Sequence, residues 1–263
     1  MRKYLFLSLL MAATLLSCTK QNRPITVWMI GDSTMADRYD TIETPERGWG
    51  QVFPTFLSDD VRVMNHAKNG RSTKSFLAEG RFEPVMEGIA EGDVVIIQFG
   101  HNDAKMSDST RFASPTDYAA NLTLMVRAAK AKGANVILCT PIARRHFKND
   151  TLQYVHGDYP VRARDVAQAE EVPLVDMTTL TMDWLAPLGD NGSRQFFVYE
   201  MKPGEYSKYP EGKTDNTHLR LAGAVQVARM FASQVAADKI MPLADYVKPL
   251  NTDIKYTTPC GIK

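Results

Sequence analysis

The chain has 263 residues, 44 % of them hydrophobic, with 31 lysines and arginines against 30 aspartates and glutamates for a formal charge of +1. That length supports a large core, and that near-neutrality gives no electrostatic reason to bind nucleic acid or an anionic membrane surface. No apolar run reaches the roughly 20 residues that a membrane span requires.

Arg2 and Lys3 precede an apolar run from Tyr4 to Leu16 that closes on Ser17 and Cys18, the pattern of a secretory signal. Leu15-Leu16-Ser17-Cys18 resembles a bacterial lipobox, in which cleavage before the cysteine is paired with lipidation of its sulfur. The plainer alternative is an ordinary signal with a chance cysteine. The lipobox reading makes residues 1–17 a signal peptide and 18–24 a polar tether, and holds the protein on a membrane, facing the periplasm or the cell exterior. Removing 17 of the 263 residues leaves 246, and losing Arg2 and Lys3 takes the formal charge from +1 to −1. Cys139 and Cys260 then remain. Cys139 lies in an apolar run and reads as a small buried hydrophobe. An oxidising compartment allows it to pair with Cys260, but spacing alone does not decide that.

From residue 25 onward, short apolar runs rich in β-branched residues recur at Ile25 to Ile30, Val61 to Met64, Val94 to Phe99, Val136 to Cys139 and Val172 to Val175. Their near-continuous hydrophobicity predicts strands covered on both faces. Between them, Ser114-Pro115-Thr116-Asp117 reads as a helix start, and Tyr118, Leu122, Met125, Val126 and Ala129 keep helical spacing up to Gly133. A last helix places Leu221, Ala224, Val225, Ala228, Phe231, Ala232 and Val235 on one face. Alternating strands and helices, with no repeat or composition shift to mark a boundary, predict an α/β fold in one domain over residues 25–263.

In such a sheet, ligands bind beyond the carboxyl ends of the strands. The first three strands are followed by Gly31-Asp32-Ser33-Thr34, by Asn65 to Arg71 and by Gly100-His101-Asn102-Asp103, while Asp215-Asn216-Thr217-His218 precedes the last helix. Together these segments hold the parts that ester cleavage needs. Ser33, in an expected strand-to-helix turn with Gly31 easing the bend, is the candidate nucleophile. His218 is the base, with Asp215 behind it to fix the imidazole tautomer. The backbone N–H groups of Ser33 and Gly70 and the side-chain amide of Asn102 are the oxyanion donors. The chemistry calls for no cofactor and no metal, and no histidine or cysteine spacing suits zinc.

These motifs, in this order, resemble those of the SGNH (GDSL-like) hydrolase superfamily over about Ile25 to Val235. The resemblance implies a flavodoxin-like three-layer α/β/α sandwich with a five-stranded parallel sheet, and it assigns Ser33, Gly70, Asn102, Asp215 and His218 the same roles. Gly-Asp-Ser-Thr in place of Gly-Asp-Ser-Leu, with Arg47 to Gly50, Asn69 to Thr73, Arg144 to Phe147 and His156 to Pro160, is similar to the rhamnogalacturonan acetylesterase branch. That branch implies removal of acetyl groups from a pectic polysaccharide or its oligosaccharides.

Asp32, Trp49, Arg71, His101, Asp103 and His156 are further candidates for substrate binding or support of the site. Trp49 either stacks on a sugar ring or anchors a loop. His101 reads as structural or oxyanion-supporting, His66 as structural, and Trp184 as core. Residues 187–214 lack periodicity; their aromatics either wall a groove or pack beneath a loop. Two other functions fit the same residues: a lysophospholipase or thioesterase on this scaffold, and a glycan-binding lipoprotein that has lost turnover.

Overall fold

The computed structural model describes residues 24–39 and 43–250; the segment expected to be a signal peptide, Cys18 as the expected lipidation residue, almost all of the expected tether, and Cys260 lie outside the described residues. In chain order the strands are β1 (Thr26–Gly31), β2 (Arg62–Asn65), β3 (Val94–Gln98), β4 (Asn135–Cys139), a two-residue hairpin of β5 (Phe147–Lys148) and β6 (Thr151–Leu152), and β7 (Leu174–Val175). The helices are α1 (Trp49–Val52), α2 (Thr73–Ala78), α3 (Glu83–Gly88), α4 (Pro115–Ala131), α5 (Tyr159–Ala169), α6 (Met177–Leu185), α7 (Gly189–Ser193) and α8 (Leu221–Ala237). Five strands form one sheet in the order β2-β1-β3-β4-β7, every pairing parallel. None of the described helices is long and apolar enough to cross a membrane.

Alternation along the central strands divides the core in two. Val27, Met29, Val94, Ile96, Ile137 and Cys139 face a layer built from α1 and α8, whereas Trp28, Ile30, Val95, Ile97, Val136 and Leu138 face the layer of α2, α3, α4 and α5, with Trp28 against Gly88 of α3. Each such side chain, taken fully out of water, contributes about 1.5–3 kcal/mol. The expectation of strands covered on both faces holds for β1 and β3 but not for β2, an edge strand with Arg62 exposed and its other residues half-buried. The last strand is two residues long because Pro173 has no N–H for a ladder, although its carbonyl still accepts from Leu138 N at 3.0 Å.

Ser114 caps α4 by accepting from Asp117 N at 3.1 Å. In α8 the buried face is Gly223, Ala224, Val227, Ala228, Phe231, Ala232 and Val235. Leu221 is 38 % exposed and Val225 only partly buried, so the helix is rotated from the expected stripe. The cause is Gly223: a Cβ there would lie 2.2 Å from the Phe196 carbonyl oxygen, so the helix presses its bare backbone against that chain. A glycine adds nothing to a hydrophobic stripe and so hides this orientation.

Candidate active site

The chain leaves β1 through Asp32 into a single turn, with Met35 N and Ala36 N donating to the Asp32 carbonyl at 3.3 and 3.1 Å. No helix follows directly, contrary to expectation; α1 begins only at Trp49. Gly31 is required by close approach rather than by a sharp bend, since a Cβ would meet the Gln98 carbonyl oxygen at 2.6 Å. Asp32 fixes the turn by accepting from Thr34 N at 2.9 Å and Thr34 Oγ1 at 2.8 Å.

Across the sheet edge, Ser33 Oγ lies 2.9 Å from His218 Nε2, and His218 Nδ1 lies 2.8 Å from Asp215 Oδ2. The other Asp215 oxygen accepts from Thr217 N at 2.7 Å and His218 N at 2.9 Å. Burial opposes ionisation of Asp215, but the hydrogen bonds and charge of His218 and the bond from Lys213 outweigh it and hold the carboxyl well below the usual range.

Gly70 adopts φ +73°, a conformation that other residues rarely take, and this presents its N–H at the turn after β2. Among the described residues, neither that N–H nor the Ser33 N–H is taken by a backbone acceptor. Asn102 is 4 % exposed, and its amide donates once to the Arg71 carbonyl at 3.0 Å, which fixes the group and leaves a second N–H.

The further candidates divide sharply. Trp49 is fully buried, donates to Gln98 Oε1 at 2.8 Å and packs against Phe53 and Phe231, so it anchors the core and does not stack on a sugar. Asp32 and Asp103 are also fully buried and support the site from beneath. Burial pushes Asp103 up to about 7 despite two hydrogen bonds from Thr73, and the nearby Asp32 charge adds to the rise. His101 is 2 % exposed, burial disfavours its protonation, and its ring stands edge-on to that of His156 at 4.9 Å. His156 Nε2 lies 2.8 Å from the Ile142 carbonyl, so that nitrogen carries hydrogen; burial lowers the imidazole to about 4. Arg71 is the member of this group with a partly exposed side chain, pairing with Glu79 at 2.9 Å. Away from the site, His66 packs against Trp28, and Trp184 is half-buried against Phe196.

Four residues have a place at the site that the sequence reading did not assign, two of them, Arg144 and Arg145, standing in a motif it did note. Arg144 ties two site loops together, from Thr217 Oγ1 to the His101 carbonyl at 3.2 Å. Arg145, 1 % exposed, spans Ser193, Asp190 and Asn216, with its guanidinium 3.9 Å from the Tyr199 ring centroid. The adjacent arginine pair was visible; its burial was not. Glu46 and Lys213 complete the group, with Lys213 Nζ 3.0 Å from Asp215 Oδ2 and 3.5 Å from Glu46 Oε1. The irregular stretch backs this loop: Val198 N donates to the His218 carbonyl at 2.9 Å, and Asp215 N to the Val198 carbonyl at 2.8 Å.

Residues 29–224, which include Ser33, Gly70, Asn102, Asp215 and His218, match the GDSL-like Lipase/Acylhydrolase family. The chain is 37 % identical to the rhamnogalacturonan acetylesterase RhgT of Bacillus subtilis over 226 residues, covering 86 % of this chain and 95 % of that one. It is 28 % identical to a rhamnogalacturonan acetylesterase of Emericella nidulans, covering 89 % and 96 % of the two chains. The crystal structure of Bacillus subtilis YxiM superposes with a TM-score of 0.70 at 26 % identity, covering 82 % of this chain but only 57 % of that longer one. The Axe2 acetylxylan esterase of Geobacillus stearothermophilus shares the fold, with a TM-score of 0.59 at 18 % identity over 80 % of this chain and 94 % of Axe2. With the parallel five-stranded sheet, these matches show that the chain is a carboxylic ester hydrolase of the GDSL-like Lipase/Acylhydrolase family and belongs to its rhamnogalacturonan acetylesterase-like branch.

Proposed function

We propose that this protein removes O-acetyl groups from rhamnogalacturonan or its oligosaccharides through an acyl-enzyme on Ser33. The observation that carries the mechanism is the unbroken chain of hydrogen bonds from Ser33 Oγ through His218 to Asp215. Ser33 Oγ attacks the acetyl carbonyl while His218 Nε2 takes its proton. Charge on the carbonyl oxygen is met by the N–H groups of Ser33 and Gly70 and the free N–H of Asn102. The C–O bond to the sugar breaks, His218 returns the proton to the departing sugar oxygen, and the acetyl group stays on Ser33. Water, deprotonated by His218, then attacks the acyl-enzyme, the bond to Ser33 Oγ breaks as His218 returns that proton to the serine oxygen, and acetate leaves.

The rhamnogalacturonan substrate rests on the names of the relatives and on the wall beside the oxyanion site. There a cavity of about 250 Å³ adjoins Gly70 and is lined by Arg71, Ser75, Glu79, Thr110 and Arg111. Those polar groups suit a hydroxylated, carboxylated glycan better than an acyl tail. Acetate release from acetylated rhamnogalacturonan is expected to exceed that from acetylated xylan by at least about tenfold in kcat/KM, and aryl esters are expected to lose rate steeply beyond acetyl. Xylan equal to pectin overturns the substrate, and a rate maximum at long acyl chains favours a lysophospholipase or thioesterase. Glycan binding without turnover by the wild-type protein leaves only a binding lipoprotein.

The lipobox-like Leu15-Leu16-Ser17-Cys18 supports export and anchoring through a diacylglyceryl group on the Cys18 sulfur. In a bacterial host, Cys18→Ala is expected to abolish the lipid-modified N-terminal peptide seen by mass spectrometry. An unlipidated wild-type N-terminus ending the signal at another residue overturns the anchor.

A further inference from the structure

Glu46 is 4 % exposed and lies just ahead of α1, yet the mechanism above gives it no task. Its Oε2 lies 3.2 Å from Arg38 Nε and 3.3 Å from Lys208 Nζ, while Oε1 accepts from the Tyr209 hydroxyl and lies 3.5 Å from Lys213 Nζ. Carboxylate oxygens of Glu46 and Asp215 and a ring nitrogen of His218 all fall within 4.8 Å of one another. The site therefore has a second carboxylate beside its base, with the Lys213 ammonium bridging the two acids.

That ammonium poses an electrostatic problem. It lies 3.0 Å from Asp215 Oδ2, the oxygen that also accepts from His218 Nδ1. A cation there draws on the same negative charge that must stabilise the imidazolium once Ser33 gives up its proton. Taken alone, Lys213 orders Asp215 but weakens the base. Burial works against the Glu46 charge, but attraction to His218, the Tyr209 bond and the charges of Lys208 and Arg38 hold the carboxyl at about 2, so Glu46 is an anion throughout the working range.

We propose that Glu46 is a positioning residue of the acid–base machinery, neutralising Lys213 so that this lysine fixes Asp215 without reducing the capacity of His218 to accept the serine proton. Through Lys208, Tyr209 and Lys213 it also pins the irregular segment ahead of Asp215 to the β1–α1 connection. The inference rests on the assignment of Ser33, His218 and Asp215. That assignment is checked separately by fluorophosphonate labelling of Ser33: an active wild-type protein without a reactive Ser33 overturns the triad itself, whereas a labelled Ser33 with the pH limbs unmoved in the variants overturns only the role of Glu46.

The test is the pH profile of kcat/KM on an aryl acetate, whose acid limb reports protonation of the base in the free enzyme. Glu46→Gln keeps the shape and an acceptor for Tyr209 while removing the charge. It is expected to move the acid limb to lower pH by about one unit and to lower plateau kcat about tenfold, with KM within about twofold. Lys213→Met removes the opposing charge and is expected to move the limb the other way, to higher pH. The other charges around this unit are unchanged in both variants: Asp215 on its own loop, Asp32 beneath Ser33, His101 after β3, Arg144 after β4, and Arg38 and Lys208 on Glu46. Opposite shifts support the proposal. Shifts of the same sign, or a fall in kcat with no shift, reduce Glu46 to packing and overturn it. If Glu46→Gln does not fold, Lys213→Met still decides, since an unmoved or lowered limb overturns the proposal.

Discussion

Ser33→Ala is expected to lower kcat on an acetyl ester by about ten-thousand-fold or more while leaving the fold in place. The size follows from what the substitution removes. Without Oγ there is no covalent intermediate, and His218 has no serine proton to take; only the oxyanion donors and substrate binding remain, and in serine hydrolases they sustain about 10³–10⁴ over water. The effect on stability is small, because the lost hydrogen bond to His218 joins groups at the open sheet edge and is worth about 1 kcal/mol. Purified wild-type and Ser33→Ala proteins are compared for acetate release, thermal midpoint and fluorophosphonate labelling. Activity within tenfold of wild type, with the label retained on the variant, places the nucleophile elsewhere.

The site was legible in the sequence where chemistry coincides with strand ends. β-branched runs located the four main strands, and the polar, glycine-bearing segments after three of them, with the Asp-x-x-His before α8, supplied every group of the hydrogen-bonded chain and the residues proposed as oxyanion donors. Burial was not legible. Trp49 has the same letter whether it stacks on a sugar or, as found, fills the space between Phe53 and Phe231. Arg145 and Glu46 are charged residues that a sequence places at the surface by default, yet each is nearly enclosed by partners distant along the chain. Glu46 meets Lys213 across 167 residues of sequence, a contact with no local signature. The turn after Ser33 was misjudged as a helix start because a tight polar turn after a strand reads alike in both cases; what fixes it is the Asp32 carboxylate bonding to Thr34.

Asp215→Asn is expected to cost almost as much as losing the nucleophile, about ten-thousand-fold in kcat with little change in KM, for a reason of tautomers rather than shape. Asp215 Oδ1 accepts from two backbone N–H groups, and Oδ2 from His218 Nδ1 and Lys213 Nζ. In the variant, the amide oxygen stays with the two N–H groups, which leaves its NH₂ facing His218 Nδ1. That nitrogen must then accept, so the ring hydrogen moves to Nε2, where it blocks uptake of the proton from Ser33. Stability separates this account from simple loss of structure. Because the Asp215 carboxyl is held below its unfolded value, its contribution is fully present above about pH 4, the unfolded carboxylate range, and is lost as pH falls through the lower folded value. The thermal midpoint of the variant is therefore expected to lie below that of wild type at pH 7, with the gap narrowing on acidification below about pH 4. A gap that persists unchanged at low pH, or a variant with near-wild-type kcat, removes Asp215 from its role behind His218.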